Sequence, residues 1–165
     1  MLDGFDAQGK FWADSNSLQM IEREVNKRKD FTIAEKHSNI SSNYYPVDSA
    51  IAIRDTNKSL QVTVMNDRPQ GGSADISGKA NIELMQNRRL TEDDGKGVGE
   101  PLNEFDEDGV GLRTTAKYWM QIFDYSKGKS LQRDEQILID EPLEYFLGFK
   151  YTQDGAPQPS EYIPV

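Results

Sequence analysis

The sequence has no cysteine and a single histidine, His37, among its 165 residues. Without thiols there is neither a disulfide framework nor a thiolate metal site. With one imidazole, neither a His-based metal site nor a His-dependent catalytic triad can be assembled from this chain. No apolar run approaches the roughly 18–20 residues that cross a bilayer. The opening Met1-Leu2-Asp3-Gly4-Phe5-Asp6 lacks the basic-then-apolar order of a secretory signal, so the chain reads as soluble, with export requiring sequence further upstream. Positive charge is also short. The 19 Lys plus Arg against 28 Asp plus Glu leave a formal charge of -9, the wrong sign for gripping a phosphate backbone. The expectation is therefore no nucleic-acid partner, no membrane partner and no metal held by this chain.

What is present suits one modest domain. An apolar share of 36% with two Trp, seven Tyr and seven Phe can fill a core at this length. Periodicity favours strands. Leu60, Val62 and Val64 alternate with Gln61 and Thr63, which puts one set on each face of a pleated strand. Ala50 to Arg54 alternates likewise, and the turn-prone Asp55-Thr56-Asn57-Lys58 between the two runs makes them an expected antiparallel hairpin. Further strands are expected at 9–13, 18–25, 81–86 and 114–123, with a short helix over 129–138. Gly71-Gly72-Ser73 and Gly95-Lys96-Gly97-Val98-Gly99 read as loops. The proline-bearing stretch 153–165 reads as a flexible tail, and residues 1–152 as one domain, all-β and mainly antiparallel.

Negative charge is concentrated. Residues 92–108 carry eight Asp and Glu against Lys96 alone, a net of -7 out of -9. Asp106-x-Asp108-Gly109 is a fragment of a calcium-loop pattern, but a solvated acidic loop fits such a run better. The spaced glycines at 95, 97 and 99 look like a phosphate cradle, yet neither a strand before them nor a helix and Lys-Ser or Lys-Thr pair after them completes it. Arg88-Arg89, followed by Glu92, Asp93 and Asp94, reads first as an ion-pair network between a strand and its loop. A guanidinium there can also offer a rigid fork of donors to sugar hydroxyls. Trp12 and Tyr44-Tyr45 can stack on sugars, but residues of this kind more often pack a core or strand edge. Asn39-Ile40-Ser41 and Asn57-Lys58-Ser59 are glycosylation sequons in expected surface segments, which makes Asn39 and Asn57 candidate acceptors.

Several ordered blocks carry more. Gly9-Lys10-Phe11-Trp12-Ala13-Asp14-Ser15-Asn16, Asn43-Tyr44-Tyr45-Pro46-Val47, Asp67-Arg68-Pro69-Gln70-Gly71-Gly72-Ser73, Glu83-Leu84-Met85-Gln86-Asn87-Arg88-Arg89-Leu90 and the run from Thr91 to Leu102 resemble, in the same order, the C-terminal half of acidic, lysosomal or vacuolar α-mannosidases. Pro69 stands where that family has Ser, and Lys96 where Arg is common. The likeness covers roughly residues 9–125 and weakens to about 152.

The resemblance implies family 38 of the glycoside hydrolases, retaining exo-enzymes that release α-linked mannose from N-glycans. Retention needs a carboxylate nucleophile and a second carboxyl group as acid and base. In that family both groups, and the zinc, belong to an N-terminal α/β domain that these residues do not contain. The resemblance therefore implies no catalytic residue here, no cofactor here, and zinc only in the catalytic domain. The chain would be part of a large β-sandwich of the galactose-mutarotase-like type. Its partners would be that catalytic domain and mannose-containing glycans, in a lysosome, a vacuole or outside the cell. Arg88 and Arg89 are carried over as substrate-binding, Asp93 and Asp94 as residues that hold the loop. Two other readings stay open: a stand-alone carbohydrate-binding β module, and hydrolysis by the acidic loop itself. A sandwich built to pack on another domain should also expose an apolar patch and unpaired strand edges.

Overall fold

The computed structural model describes residues 4–33, 39–97, 101–142, 149–151 and 157–159. The chain runs through β1 (Lys10–Asp14), β2 (Met20–Glu24), α1 (Asn39–Ser42), β3 (Tyr45–Val47), β4 (Ala50–Asp55), β5 (Leu60–Asn66), β6 (Gln70–Ala74), β7 (Ile82–Met85), β8 (Tyr118–Asp124), α2 (Tyr125–Asp140), β9 (Phe149–Tyr151) and β10 (Pro157–Pro159). A five-stranded sheet in the order β2-β1-β4-β5-β8 faces a three-stranded sheet in the order β3-β6-β7, and β9 pairs with β10. Every pairing is antiparallel. This is the mainly antiparallel all-β arrangement that the alternating patterns imply.

Register explains the core. Ala13 pairs with Ile51, Ile51 with Val64, and Val64 with Met120, so these four share one face of the large sheet. Phe11, Ile53 and Val62 lie on the same face, where they pack with Val47 and Ala74 of the small sheet. The opposite face carries Trp12, Ala52, Thr63 and Gln121 in one row. Helix α2 contacts β5 and β8 and lies beside Trp119 on that second face. The expected hairpin is formed by β4 and β5, with Asn57 exposed in its turn.

Three expectations need correction. Gly71-Gly72-Ser73 lies inside strand β6 and not in a loop, because the strand passes where side chains from both sheets leave no room for a Cβ. The strand expected from residue 114 begins at Tyr118; before it the backbone is held as loop by Asp67, whose Oδ2 accepts from Lys117 N at 3.1 Å. The helix is longer than 129–138. It starts directly after β8 because Asp124 caps it, its Oδ1 accepting from Ser126 N at 2.9 Å, and it ends with Glu141 N donating to Ile137 O. Its buried face is polar: Gln132 and Gln136 point inward, while Leu131, Ile137 and Leu138 are exposed. Hydrophobic periodicity does not identify such a helix. Of the stretch read as a tail, residues 157–159 pair with 149–151, and the others lie outside the described residues, as does His37.

Among the described residues, three carboxyl groups are held below their ordinary range. Asp55 is lowered chiefly by the Asp6 backbone N–H, Asp67 by the Arg68 side chain, and Asp124 by its hydrogen bonds from Ser126. A carboxyl depressed in the fold contributes stability that is present above its unfolded pKa and is lost as pH falls through the lower folded value. The melting temperature is therefore expected to hold from neutrality down to about pH 4.5 and to drop below about pH 4. A melt monitored by circular dichroism that already weakens at about pH 6 would contradict this assignment.

Candidate functional site

The residues carried over as substrate-binding sit just beyond β7, where the strand leaves the small sheet and its side chains become exposed. Arg88 and Arg89 differ in placement. The Arg88 backbone N–H donates to Asn87 Oδ1 at 2.8 Å, a local turn. The Arg89 guanidinium carbon stands 5.6 Å from the centroid of the Phe105 ring. Arg89 lines an open cleft of about 410 Å³ together with Arg68, Asn87, Leu102, Glu104 and Phe105. The ion-pair network expected from Arg88-Arg89 to Glu92, Asp93 and Asp94 is not what forms. Among the described residues the ion pairs are Lys10–Glu22, Lys27–Glu24 and Arg68–Asp67. The reason is local: Asp93 Oδ1 accepts from Gly95 N at 3.1 Å and Asp94 Oδ1 from Lys96 N at 2.9 Å, so both carboxylates turn back on their own backbone.

The cleft is assembled from segments far apart in sequence. Arg68 is held by Asp67, with Nε to Oδ1 at 2.9 Å and Nη2 to Oδ2 at 3.2 Å, and its Nη2 also donates to Thr115 O at 2.6 Å. This fixes the segment leading into β8. Leu90 N donates to Pro101 O at 2.9 Å, which draws the 101–105 stretch against the end of β7. Phe105 bridges to Gly111, and Asp106 Oδ1 accepts from Asp108 N and Val110 N, closing a tight turn. Leu102 occupies the left-handed region at φ 57°, where a branched side chain is strained by about 1–2 kcal/mol. The backbone there is held by its neighbours and not by its own preference. Blocks around residues 67, 89 and 102 thus converge on one place.

Chemically the cleft offers donors and a ring face. Arg89 has no carboxylate partner among the described residues, so its guanidinium edge can donate to hydroxyl or carboxylate oxygen. Glu104 is the one carboxylate among the lining residues. Double-displacement glycoside chemistry needs two, about 5 Å apart. For zinc, the described residues bring together no group of three or more His, Cys, Asp and Glu side chains placed for a metal. With one His and no Cys in the sequence, this donor set does not fit the ion. Arg68, Leu102 and Phe105 were not singled out from sequence. Arg68 stands in a quoted block, and only its position beside Thr115 reveals the cleft. Of the aromatics, Tyr45 packs edge-on against the core residue Phe11, Tyr44 donates to Glu83 at 3.3 Å, and Trp12 lies under the Arg54 guanidinium. Asn39 opens α1 and Asn57 lies in the exposed β4–β5 turn.

Comparison with known proteins agrees with the pattern of blocks. Residues 4–96 match the profile of the glycosyl hydrolases family 38 C-terminal domain. The lysosomal α-mannosidase of Bos taurus is 45% identical over 155 residues, which are 92% of this chain and 15% of that protein. The lysosomal α-mannosidase of Felis catus is 38% identical over 136 residues, 81% of this chain and 13% of that protein. That of Dictyostelium discoideum is 36% identical over 134 residues, 81% of this chain and 12% of that protein. The chain therefore spans only a small part of the length of these relatives. The two packed antiparallel sheets and the matched residues together place this chain in glycoside hydrolase family 38, as part of its C-terminal domain.

Proposed function

We propose that this chain is the supporting, non-catalytic part of a retaining exo-α-mannosidase that trims α-linked mannose from N-glycans. It packs on a zinc-containing catalytic domain and helps close the sugar pocket. The observation that carries this reading is the cleft in which the blocks around residues 67, 89 and 102 meet, with Arg89 in no ion pair among the described residues. In that role Arg89 donates hydrogen bonds to sugar hydroxyls at the pocket rim, while Arg88 shapes the turn. Asp93 and Asp94 hold the loop behind them through their backbone hydrogen bonds. The catalytic carboxylates and zinc are supplied by the catalytic domain. The lysosomal relatives favour an acid compartment, lysosome or vacuole, and Asn57 in its exposed turn is suited to carry a glycan.

Support for a packed partner comes from the edge of the large sheet. Tyr118, Met120 and Ile122 share the core-side face of β8, yet Met120 is 68% exposed and Ile122 49%. From the three-stranded sheet, Gln70 Nε2 of β6 donates to the Tyr118 hydroxyl at 2.8 Å at the start of this strand, while Met120 and Ile122 stay exposed. Strand β8 also has one edge unpaired among the described residues. An apolar stripe beside an open edge is a surface made to be covered.

In the complete enzyme, Arg89→Ala is expected to lower kcat/KM for an α-mannoside about tenfold, the scale of one hydrogen bond to a charged donor. Arg88→Ala should act less strongly, and the melting temperature should change little in either. Steady-state kinetics with a chromogenic α-mannoside decides the matter. Unchanged kinetics in both variants would remove the pocket role.

A further inference from the structure

In a chain of net charge -9, cations gather beside the edge strands β2 of the large sheet and β3 of the small one. Between β2 and β3 the loop presents Lys27, Arg28 and Lys29 beside Arg23, and together with Tyr45 they line an open cleft of about 550 Å³. The loop is anchored. Asn26 takes a positive φ of 61°, its backbone N–H donates to Asn43 Oδ1 at 2.7 Å, and Asn43 Nδ2 donates back to Asn26 Oδ1 at 2.8 Å. Asn43 is fully buried, so this reciprocal amide pair is a fixed foundation.

The two arginines are brought to one ring without a counter-ion among the described residues. Arg23 and Arg28 lie 4.4 Å and 4.3 Å from the centroid of the same Tyr45 ring. Arg28 also donates to the Tyr45 hydroxyl and to the carbonyl of Ser42, which fixes its head. Arg23 makes one long hydrogen bond, Nη2 to Ser15 Oγ at 3.4 Å, and its buried Nε has no partner among the described residues. The carboxylates that line the cleft are already engaged: Glu22 with Lys10 at 3.0 Å and Glu24 with Lys27 at 2.7 Å. Arg23, Arg28 and Lys29 have no ion pair among the described residues. Partial burial weakens the proton affinity of both arginines, and for Arg28 the charge of Arg23 adds to it. A pair of partly buried like charges packed on one ring gains from an anion that the guanidinium edges can reach.

We propose that this cleft binds a tetrahedral oxyanion, a phosphate or sulfate group either free or carried as a monoester, through Arg23, Arg28 and Lys29. The planar guanidinium edges supply paired donors, and the lysine supplies a mobile charge at the mouth. The site is separate from the Arg89 cleft and shares no lining residue with it. It does not depend on the mannosidase reading.

The test uses the 165-residue chain labelled with nitrogen-15, following the Nε–H signals of its arginines. Inorganic phosphate, inorganic sulfate and a hexose phosphate are titrated in turn at constant ionic strength. The Arg23 and Arg28 signals are expected to shift and saturate, with a dissociation constant on the order of 1 mM. Arg133, whose side chain donates to Ser17 O on another face, should stay still. Lys29→Gln, an exposed substitution, is expected to weaken binding about fivefold while leaving the circular dichroism spectrum unchanged. Tighter binding of the hexose phosphate than of inorganic phosphate would identify an esterified occupant, and equal binding a free anion. Shifts that do not saturate, that appear equally at Arg133, or that Lys29→Gln leaves untouched would overturn the proposal.

Discussion

Replacing Asp14 with alanine is expected to lower the stability of the chain by about 3 kcal/mol, the largest single loss available outside its apolar core. Asp14 ends β1 and is 2% exposed. Its Oδ1 accepts from Asp48 N at 3.1 Å, Ser49 N at 2.9 Å and Ala50 N at 3.1 Å, and its Oδ2 accepts from the Ser49 hydroxyl. Those three N–H groups lie where the chain leaves β3 in the small sheet and enters β4 in the large one. The carboxylate therefore holds the joint between the two layers. Alanine would leave buried donors unsatisfied, each at a cost of about 1–3 kcal/mol before relaxation. An asparagine side chain is not equivalent but retains one acceptor oxygen, so Asp14→Asn should lose about half as much. Urea unfolding of the two variants beside the parent measures both differences. A loss below about 1 kcal/mol for Asp14→Ala would mean that the turn holds itself and that the carboxylate is incidental.

That carboxylate shows what the residues do and do not announce. Alternation placed β4 and β5 because Ile51, Ile53, Val62 and Val64 keep one apolar face toward the core, a period of two visible in the letters alone, while β1, β2, β7 and β8 were expected as further strands. It could not show that Gln61, Thr63 and Gln136 are also buried, since polar residues beneath α2 look from sequence like a solvated face. Asp14 sits in a quoted family block, but its role depends on Ser49 and Ala50, some 35 positions away in the chain. The cleft was half legible. Arg89 came from the resemblance, whereas Phe105 beneath it and Arg68 beside it are joined only by the fold. The cation cluster at Arg23 and Arg28 was hidden by its interleaved glutamates, which make residues 20–31 look balanced until Lys10 and Lys27 are seen to take them. Charge counted along the chain averages over pairs that space separates.

Gly72 carries the second large effect, and its sign is a contest between two terms. Gly→Ala at a compatible backbone position stabilises by about 0.4–1 kcal/mol through the unfolded chain. Here a Cβ would meet Val47 Cγ2 at 2.6 Å, Leu84 Cδ2 at 3.1 Å and Ile51 Cδ1 at 3.3 Å. Val47 is fully buried and β-branched, so its χ1 cannot swing the methyl aside. Overpacking of this kind costs about 1–3 kcal/mol, and occasionally more. The net expectation for Gly72→Ala is a loss of about 2 kcal/mol. The position also explains why a Gly-Gly-Ser segment forms a strand: at Gly72, β6 is crowded by Val47 and Leu84 of its own sheet and by Ile51 of the other, and only the absence of a side chain leaves room for all three. Removing the obstacle should reverse part of the damage. Val47→Ala alone opens a cavity and destabilises, but combined with Gly72→Ala the new methyl fills that space. A double-mutant cycle by urea unfolding should therefore return a favourable coupling of about 1–2 kcal/mol between the two sites. Strict additivity would show that the obstacle to the new methyl is Leu84 or Ile51 and not Val47.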